Sequence, residues 1–499
     1  MPSRSLGVSA ASGALVTGAS QAAKFVAQFA SIALLARLLA PSDFGLIAMV
    51  LAIVAIGDVL RDFGLSAASI QAQSVSAQQR SNLFWINTTI GAALSVIGAL
   101  ISPMIAEIFD EPRLVPISIA LSATFLINGC MSQFRASLIR QLFFGKVAFV
   151  EVVSMLSGIV LAAVLATAGF GYWSLVVQQI SQAAIALTIF IVLAGWRPMR
   201  PRRRHDTHAL VQFGWQLMLA QVVNYISRNV DTVVVGYSFG ASATGLYNRS
   251  SHLITSTLNQ VNAPASTVAI PILSKLQPDR LRYDRYLSAG QIALFGVLGS
   301  VFSFCAFFSE SVVAILLGPQ WTDAVPIFRI LSIAAIFQSL AYVSYWCFVT
   351  QAKTRQLLAY ALVTRTVTCA LVIFGATYSP LMVATMFAVG MAIIWPIGLF
   401  WIAFVGHLPV RSVITSSVVM LVLFTACSAL SERLTAFLFD NHLVVAVVGI
   451  LVQLVLVVAA TAVIPALRRA VRPTYELFSL TLRQRFTKRP TSVQESRPA

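Results

Sequence analysis

Fourteen apolar stretches, each about the length of a bilayer crossing, recur along this chain and limit its possible folds more than any motif does. They fall at about 13–39, 44–60, 83–106, 114–134, 147–168, 172–194, 211–238, 250–273, 287–309, 324–349, 357–378, 381–404, 411–430 and 443–466. A transmembrane helix needs about 20 apolar residues. Composition bears this out, with 58% hydrophobic and 10% charged residues, against about 45–50% and 25% in soluble domains. A soluble chain of 499 residues cannot bury that much apolar surface. The expected fold is an all-α polytopic membrane protein of about 14 helices. Pro116, Pro264, Pro326 and Pro396 lie inside spans, where neighbouring helices can satisfy the freed carbonyls.

The charges test the helix count. With the N-terminus placed inside, the inner loops carry Arg61 and Arg80, then Arg135, Arg140 and Lys146, then Arg197 to Arg204, then Lys275 to Arg285, then Lys353 and Arg355, then Arg411. The tail adds Arg468, Arg469, Arg472 and more. The outer loops carry Glu107, Asp110 and Glu111, then Glu310 and Asp323, then Glu432 and Asp440. A basic inside repeated at loop after loop fixes orientation, and a wrong span count would break the alternation. The basic runs read as topology signals attracted to anionic lipid, with partner or nucleic-acid binding as the alternative. Met1–Gly13 is short and polar and is followed by no small-residue cleavage site, so the first span is expected to be retained.

One internal comparison stands out. Residues 36–46 lie over 236–246 at a shift of 200, with Ser42/Ser242, Gly45/Gly245 and Leu46/Leu246 identical. The preceding helices match in character: Gln21, Lys24, Gln28 and Ser31 lie over Gln221, Asn224, Arg228 and Asp231, each set along one helix face. Six spans separate them, so two like-oriented halves are expected, a known transporter layout; chance similarity is the alternative. The expected divisions are an N-terminal lobe at 1–195 (helices 1–6), a basic cytoplasmic linker at 196–210 and a C-terminal lobe at 211–405 (helices 7–12). Two extra helices at 406–466 and a basic cytoplasmic tail at 467–499 follow.

Charge inside a span is costly and marks a cavity or a partner. Lys24, Arg228, Asp231 and Arg365 qualify. Arg228 and Asp231 are three apart and can neutralise each other. Lys24 has no carboxylate within a helical turn, which favours a cavity role over snorkelling, and Arg365 either lines the cavity or reaches the inner interface. Three cations and one acid make a net positive cavity suited to an anion, with arginine offering a fork for phosphate. Asp58 and Asp62 bracket Arg61, and Glu151 stands five residues after Lys146, so solvated pairing near the interface is expected for these.

Enzyme signals are weak. The chain has no HExxH, GxSxG or P-loop pattern, its five histidines are scattered, and no loop is long enough for a catalytic domain. Cys130, Cys305, Cys347, Cys369 and Cys427 lie in apolar segments without metal-ligand spacing, so neither a disulfide framework nor a metal site is expected.

Several segments carry a family likeness: "LARLLAPSDFGLIAMV" (35–50), "DFGLSAASIQ" (62–71), "NLFWINTTIGAAL" (82–94), "RASLIRQLFFGKVAFVE" (135–151) and "GFGYWSLVVQQ" (169–179). They resemble the Wzx-type lipopolysaccharide and exopolysaccharide flippases, the polysaccharide transport branch of the multidrug/oligosaccharidyl-lipid/polysaccharide exporter superfamily. The resemblance implies a two-lobed carrier without cofactors that moves undecaprenyl-pyrophosphate-linked oligosaccharide units across the bacterial inner membrane by alternating access. It implies membrane lipids and polysaccharide polymerase or chain-length machinery as partners. Lys24 and Arg228 sit where related peptidoglycan-precursor flippases carry cavity cations. Lys24, Arg228 and Arg365 would then neutralise the pyrophosphate, Gln28 and Asn224 would bond sugar hydroxyls, and Asp231 would couple a proton or sodium ion. Asp231 and the last two spans depart from the family pattern. A cation-coupled drug exporter and a membrane polysaccharide polymerase or ligase are the alternatives.

Overall fold

The computed structural model describes residues 21, 23–62, 64–72, 75–201, 208–463 and 468, with the side chains at 55, 67, 68, 71, 208–217 and 219–228 left aside. The basic run at 202–207 and almost all of the tail lie outside these residues. Among the described residues every regular element is helical.

The helices are α1 (23–38), α2 (Pro41–Asp62), α3 (Leu65–Gln71), α4 (Ala77–Leu100), α5 (Ser102–Ile108), α6 (Leu114–Arg140), α7 (Phe144–Thr167) and α8 (Trp173–Ala194). They continue with α9 (His208–Leu276), α10 (Arg280–Phe307), α11 (Ser309–Leu316), α12 (Ala324–Thr350), α13 (Thr354–Gly375), α14 (Pro380–Val405), α15 (Val410–Leu438) and α16 (His442–Val463). Eleven of these are long and apolar enough to cross a membrane. The other three expected spans correspond to α1 and to the two arms of α9. Those arms are joined at Gly240, whose φ of 76° and ψ of −173° interrupt the helix. Only glycine adopts that backbone conformation readily. The third expected span ends early because Pro103 opens a separate short helix, α5. Local chemistry sets other boundaries. Ser76 and Gln79 form a reciprocal capping box at the start of α4, and the Asp279 side chain accepts from the Arg282 amide at the start of α10.

The outward surface is apolar. Phe404, Phe437 and Val463 are 91%, 89% and 76% exposed. Large apolar side chains turned outward along long helices are the signature of a lipid solvent, and the chain is a multi-pass membrane protein. Apolar packing gives little drive between helices in lipid, so close approach and polar clasps hold them together. On α4 and α6, a Cβ on Gly91 would stand 2.5 Å from the Phe125 carbonyl oxygen, and one on Gly129 2.7 Å from that of Asn87.

The chain forms two compact units. The first comprises Met1–Ser250, Val313–Ile327 and Cys369–Ala384; the second comprises Ser251–Val312, Phe328–Thr368 and Thr385–Ala499. Within the second, Gln291 of α10 donates to the Val413 carbonyl at 3.2 Å and to the Ser417 hydroxyl. Gln453 of α16 donates to the carbonyl and hydroxyl of Ser300, both at 3.1 Å. The two helices expected as additions are thus clasped to α10 by buried amides.

The repeat at a shift of 200 has a physical counterpart inside the first unit. A Cβ on Gly45 would meet the Ala241 carbonyl oxygen at 1.7 Å, and one on Gly245 would meet that of Pro41 at 1.8 Å. The contact is reciprocal under the same shift. Two turns repeat as well: Leu142 and Ala352 both adopt positive φ, at 59° and 55°. Each sits in the same Schellman pattern, with Phe143 donating to the Leu138 carbonyl and Lys353 to that of Phe348.

Candidate functional site

The polar stripe of α1 faces its own unit. Ser31 is buried and accepts from the Gln178 amide of α8 at 3.5 Å. Two helical turns earlier, the Lys24 ammonium pairs with Oε2 of Glu151 on α7. The other oxygen of that carboxylate accepts from Arg135 of α6, through Nη2 at 2.8 Å and Nε at 3.2 Å. Three helices therefore place two cations on one carboxylate, leaving one net positive charge. The Lys24 and Glu151 side chains are 21% and 26% exposed, while Arg135 is 46% exposed and reaches outward. Lys146, the cation nearest Glu151 in sequence, instead lies over the Phe143 ring at 4.7 Å.

Beside the triad lies a cavity of about 290 Å³ lined by Asp58, Asn128, Arg135, Glu151, Gln179 and Gln182 among others. Its second charged group is also paired. Arg61 donates through Nε to Asp58 at 3.0 Å and through Nη1 to the Asn128 carbonyl and the Ser132 hydroxyl at 3.0 and 2.7 Å. The Arg61–Asp58 pairing matches the expectation from sequence. Amides and hydroxyls that both donate and accept, beside a net positive triad, suit a ligand with hydroxyls and an anionic group. The described residues contain no cluster of His, Cys, Asp or Glu able to hold a metal ion.

The expected residues are distributed as follows. Neither Lys24 nor Gln28 lines the cavity; Lys24 is joined to it through Glu151, and Gln28 lies one turn along the same helix, half-buried. The side chains of Asn224 and Arg228 lie outside the described residues. Asp231 accepts from the Thr232 amide at 2.9 Å and from the Tyr247 hydroxyl at 3.1 Å. Arg365 is half-buried on α13, in the second unit.

Arg135, Glu151 and Arg249 escaped the sequence reading as candidate site residues. Arg135 and Glu151 are 16 residues apart across the α6–α7 turn, a separation that no helical spacing flags. Arg249 stands with its guanidinium 4.0 Å from the centre of the Phe44 ring, and its Nε is buried without a hydrogen-bond partner among the described residues. It falls at the end of an apolar stretch, where a solvated loop residue would also be expected.

The family described as "Polysaccharide biosynthesis protein" matches residues 34–326. Lipopolysaccharide biosynthesis protein WzxC of Escherichia coli K12 is 26% identical over 316 residues, 61% of this chain and 63% of WzxC. Teichuronic acid biosynthesis protein TuaB of Bacillus subtilis is 27% identical over 56% of this chain and 59% of TuaB. Succinoglycan biosynthesis transport protein ExoT of Rhizobium meliloti is 23% identical over 77% of this chain and 78% of ExoT. The chain thus spans about three fifths of the length of WzxC and TuaB. Among solved structures, the lipid II flippase MurJ in its inward closed conformation superposes with a TM-score of 0.71 at 14% identity, covering 90% of this chain and 99% of MurJ. An inward-facing multidrug resistance MATE transporter of the MOP superfamily gives 0.58 at 13% identity, covering 78% and 95%. At these identities the likeness establishes the fold.

Proposed function

The chain belongs to the polysaccharide biosynthesis protein family, and from that premise we propose that it is a flippase rather than an enzyme. Its cargo is an undecaprenyl-pyrophosphate-linked oligosaccharide, carried from the inner to the outer leaflet of the bacterial inner membrane for exopolysaccharide, O-antigen or capsule assembly. Both termini are cytoplasmic in this reading, and polymerase and chain-length proteins act on the product. The observation that carries the reading is the net positive triad Lys24–Glu151–Arg135 beside a cavity whose lining includes Asn128, Gln179 and Gln182, within a membrane helix bundle. A buried cation in a span has few uses besides pairing with an anion, and the triad retains one positive charge after its internal pairing.

Lys24, Arg228 and Arg365 neutralise the pyrophosphate in this scheme, with Arg135 as an added partner. Gln28 and Asn224, joined by Gln179 and Gln182, bond sugar hydroxyls while the polyprenyl tail remains in lipid. Asp231 is the proposed coupling group for a proton or sodium ion. Movement is by alternating access, in which only one side of the membrane reaches the cavity at a time.

Replacement of Lys24 by Ala tests this. Surface polysaccharide in a strain carrying only the variant should fall by about tenfold or more, the loss of about 1.4 kcal/mol or more of ligand interaction, at unchanged protein abundance in the membrane. Full export by Lys24→Ala would defeat the reading, and intact polysaccharide with raised drug sensitivity in the deletion strain would mark a drug exporter instead.

A further inference from the structure

The two cations of the triad, Lys24 and Arg135, belong to a protein that is surrounded by lipid. The surrounding lipid is itself rich in phosphate anions, and an open pair of cations would be occupied by ordinary phospholipid. Glu151 stands where such an anion would sit. Its two oxygens are taken separately, Oε2 by Lys24 and Oε1 by Arg135, so one resident carboxylate spans both cations at the cavity rim.

We propose that Glu151 is a specificity residue, a resident anion that keeps monoanionic phospholipid off Lys24 and Arg135 and yields to a lipid diphosphate. The proposal rests on the flippase reading and names how its site selects cargo.

The electrostatics decide the order of preference. A phosphodiester headgroup carries one negative charge, the same as the carboxylate it must displace. It gains no Coulomb energy on exchange, so the cost of parting Glu151 from its two cations goes unrepaid. A diphosphate ester brings at least one further charge and several more acceptor oxygens. It can bind both cations at once, bidentate on the Arg135 fork, while the displaced carboxylate turns to the cavity, where Asn128, Gln179 and Gln182 supply amide donors. Discrimination of this kind comes from a repulsive group as much as from an attractive one. The triad changes net charge from plus one to zero if either cation is lost, and to plus two if Glu151 is lost, so each substitution has its own expected signature.

The experiment uses the purified full-length protein, titrated with dioleoylphosphatidylglycerol and with undecaprenyl diphosphate, with bound lipid read by native mass spectrometry. Wild type should prefer the diphosphate. Glu151→Gln should bind phosphatidylglycerol about tenfold more tightly, close to 1.4 kcal/mol, so that ordinary phospholipid occupies the site. Arg135→Gln should do the opposite, losing about tenfold on the diphosphate with no gain on phosphatidylglycerol. This second variant keeps the test open if Glu151→Gln folds poorly. A Glu151→Gln protein that binds phosphatidylglycerol no more tightly than wild type overturns the proposal and leaves Glu151 as a structural counter-ion. So does an Arg135→Gln protein that keeps its diphosphate affinity. Wild-type protein that binds neither lipid overturns the flippase reading itself.

Discussion

Arg249 carries its charge on an aromatic face. Held 4.0 Å from the Phe44 ring centre with a buried Nε, it gains about 1–2 kcal/mol from the ring in a desolvated setting. Phe44 is itself fixed edge-on against Trp321 at 5.4 Å, and the Trp321 indole N–H donates to the Ala36 carbonyl at 2.8 Å. Residues from three parts of the first unit therefore set the position of one guanidinium. Phe44→Leu should lower thermal stability by about 1–2 kcal/mol with export retained. Arg249→Leu should lose export at normal abundance, and Arg249→Lys should recover part of it. Equal effects of Phe44→Leu and Arg249→Leu on both readouts would make Arg249 purely structural.

At the scale of elements, the crossing of α2 with the second arm of α9 depends on two hydrogen atoms. Gly45 and Gly245 each press against a carbonyl oxygen of the other repeat, at places where a methyl group would stand within 1.8 Å. No rotamer relieves that, because the obstruction is backbone on both sides. Gly45→Ala and Gly245→Ala should each destabilise the protein by about 1–3 kcal/mol or more, and the near symmetry of the contact makes their costs similar. Gly296→Ala is the control, since its Cβ would meet only the Met420 methyl at 3.9 Å. Thermal unfolding in detergent separates the three. A mild Gly45→Ala would mean that the two helices part easily here.

For the whole molecule, the charge pattern commits to a sidedness that can be measured. Asp110→Cys, in the turn between α5 and α6, should react with an impermeant maleimide in intact cells. Lys353→Cys, in the turn between α12 and α13, should react only after permeabilisation. The native cysteines lie in helices at half-buried or buried positions, so background labelling should be low. Labelling of both variants in intact cells would invert or break the topology.

The membrane fold was legible because hydrocarbon imposes one rule on every span, about 20 apolar residues with all backbone groups paired internally, and that rule acts locally along the chain. The repeat was legible for a related reason: Ser42-Asp-Phe-Gly45 and Ser242-Ala-Thr-Gly245 keep their glycines because each backbone needs the room. What local pattern could not supply was partnership. Lys24 looked unpaired because its carboxylate, Glu151, is 127 residues away, and Glu151 looked like an interfacial partner of Lys146 because proximity in sequence was the only proximity visible. Periodicity along a helix says which face is polar; which helix that face meets, and so whether a charge is free or answered, depends on packing between segments far apart in the chain, and only the tertiary structure decides it.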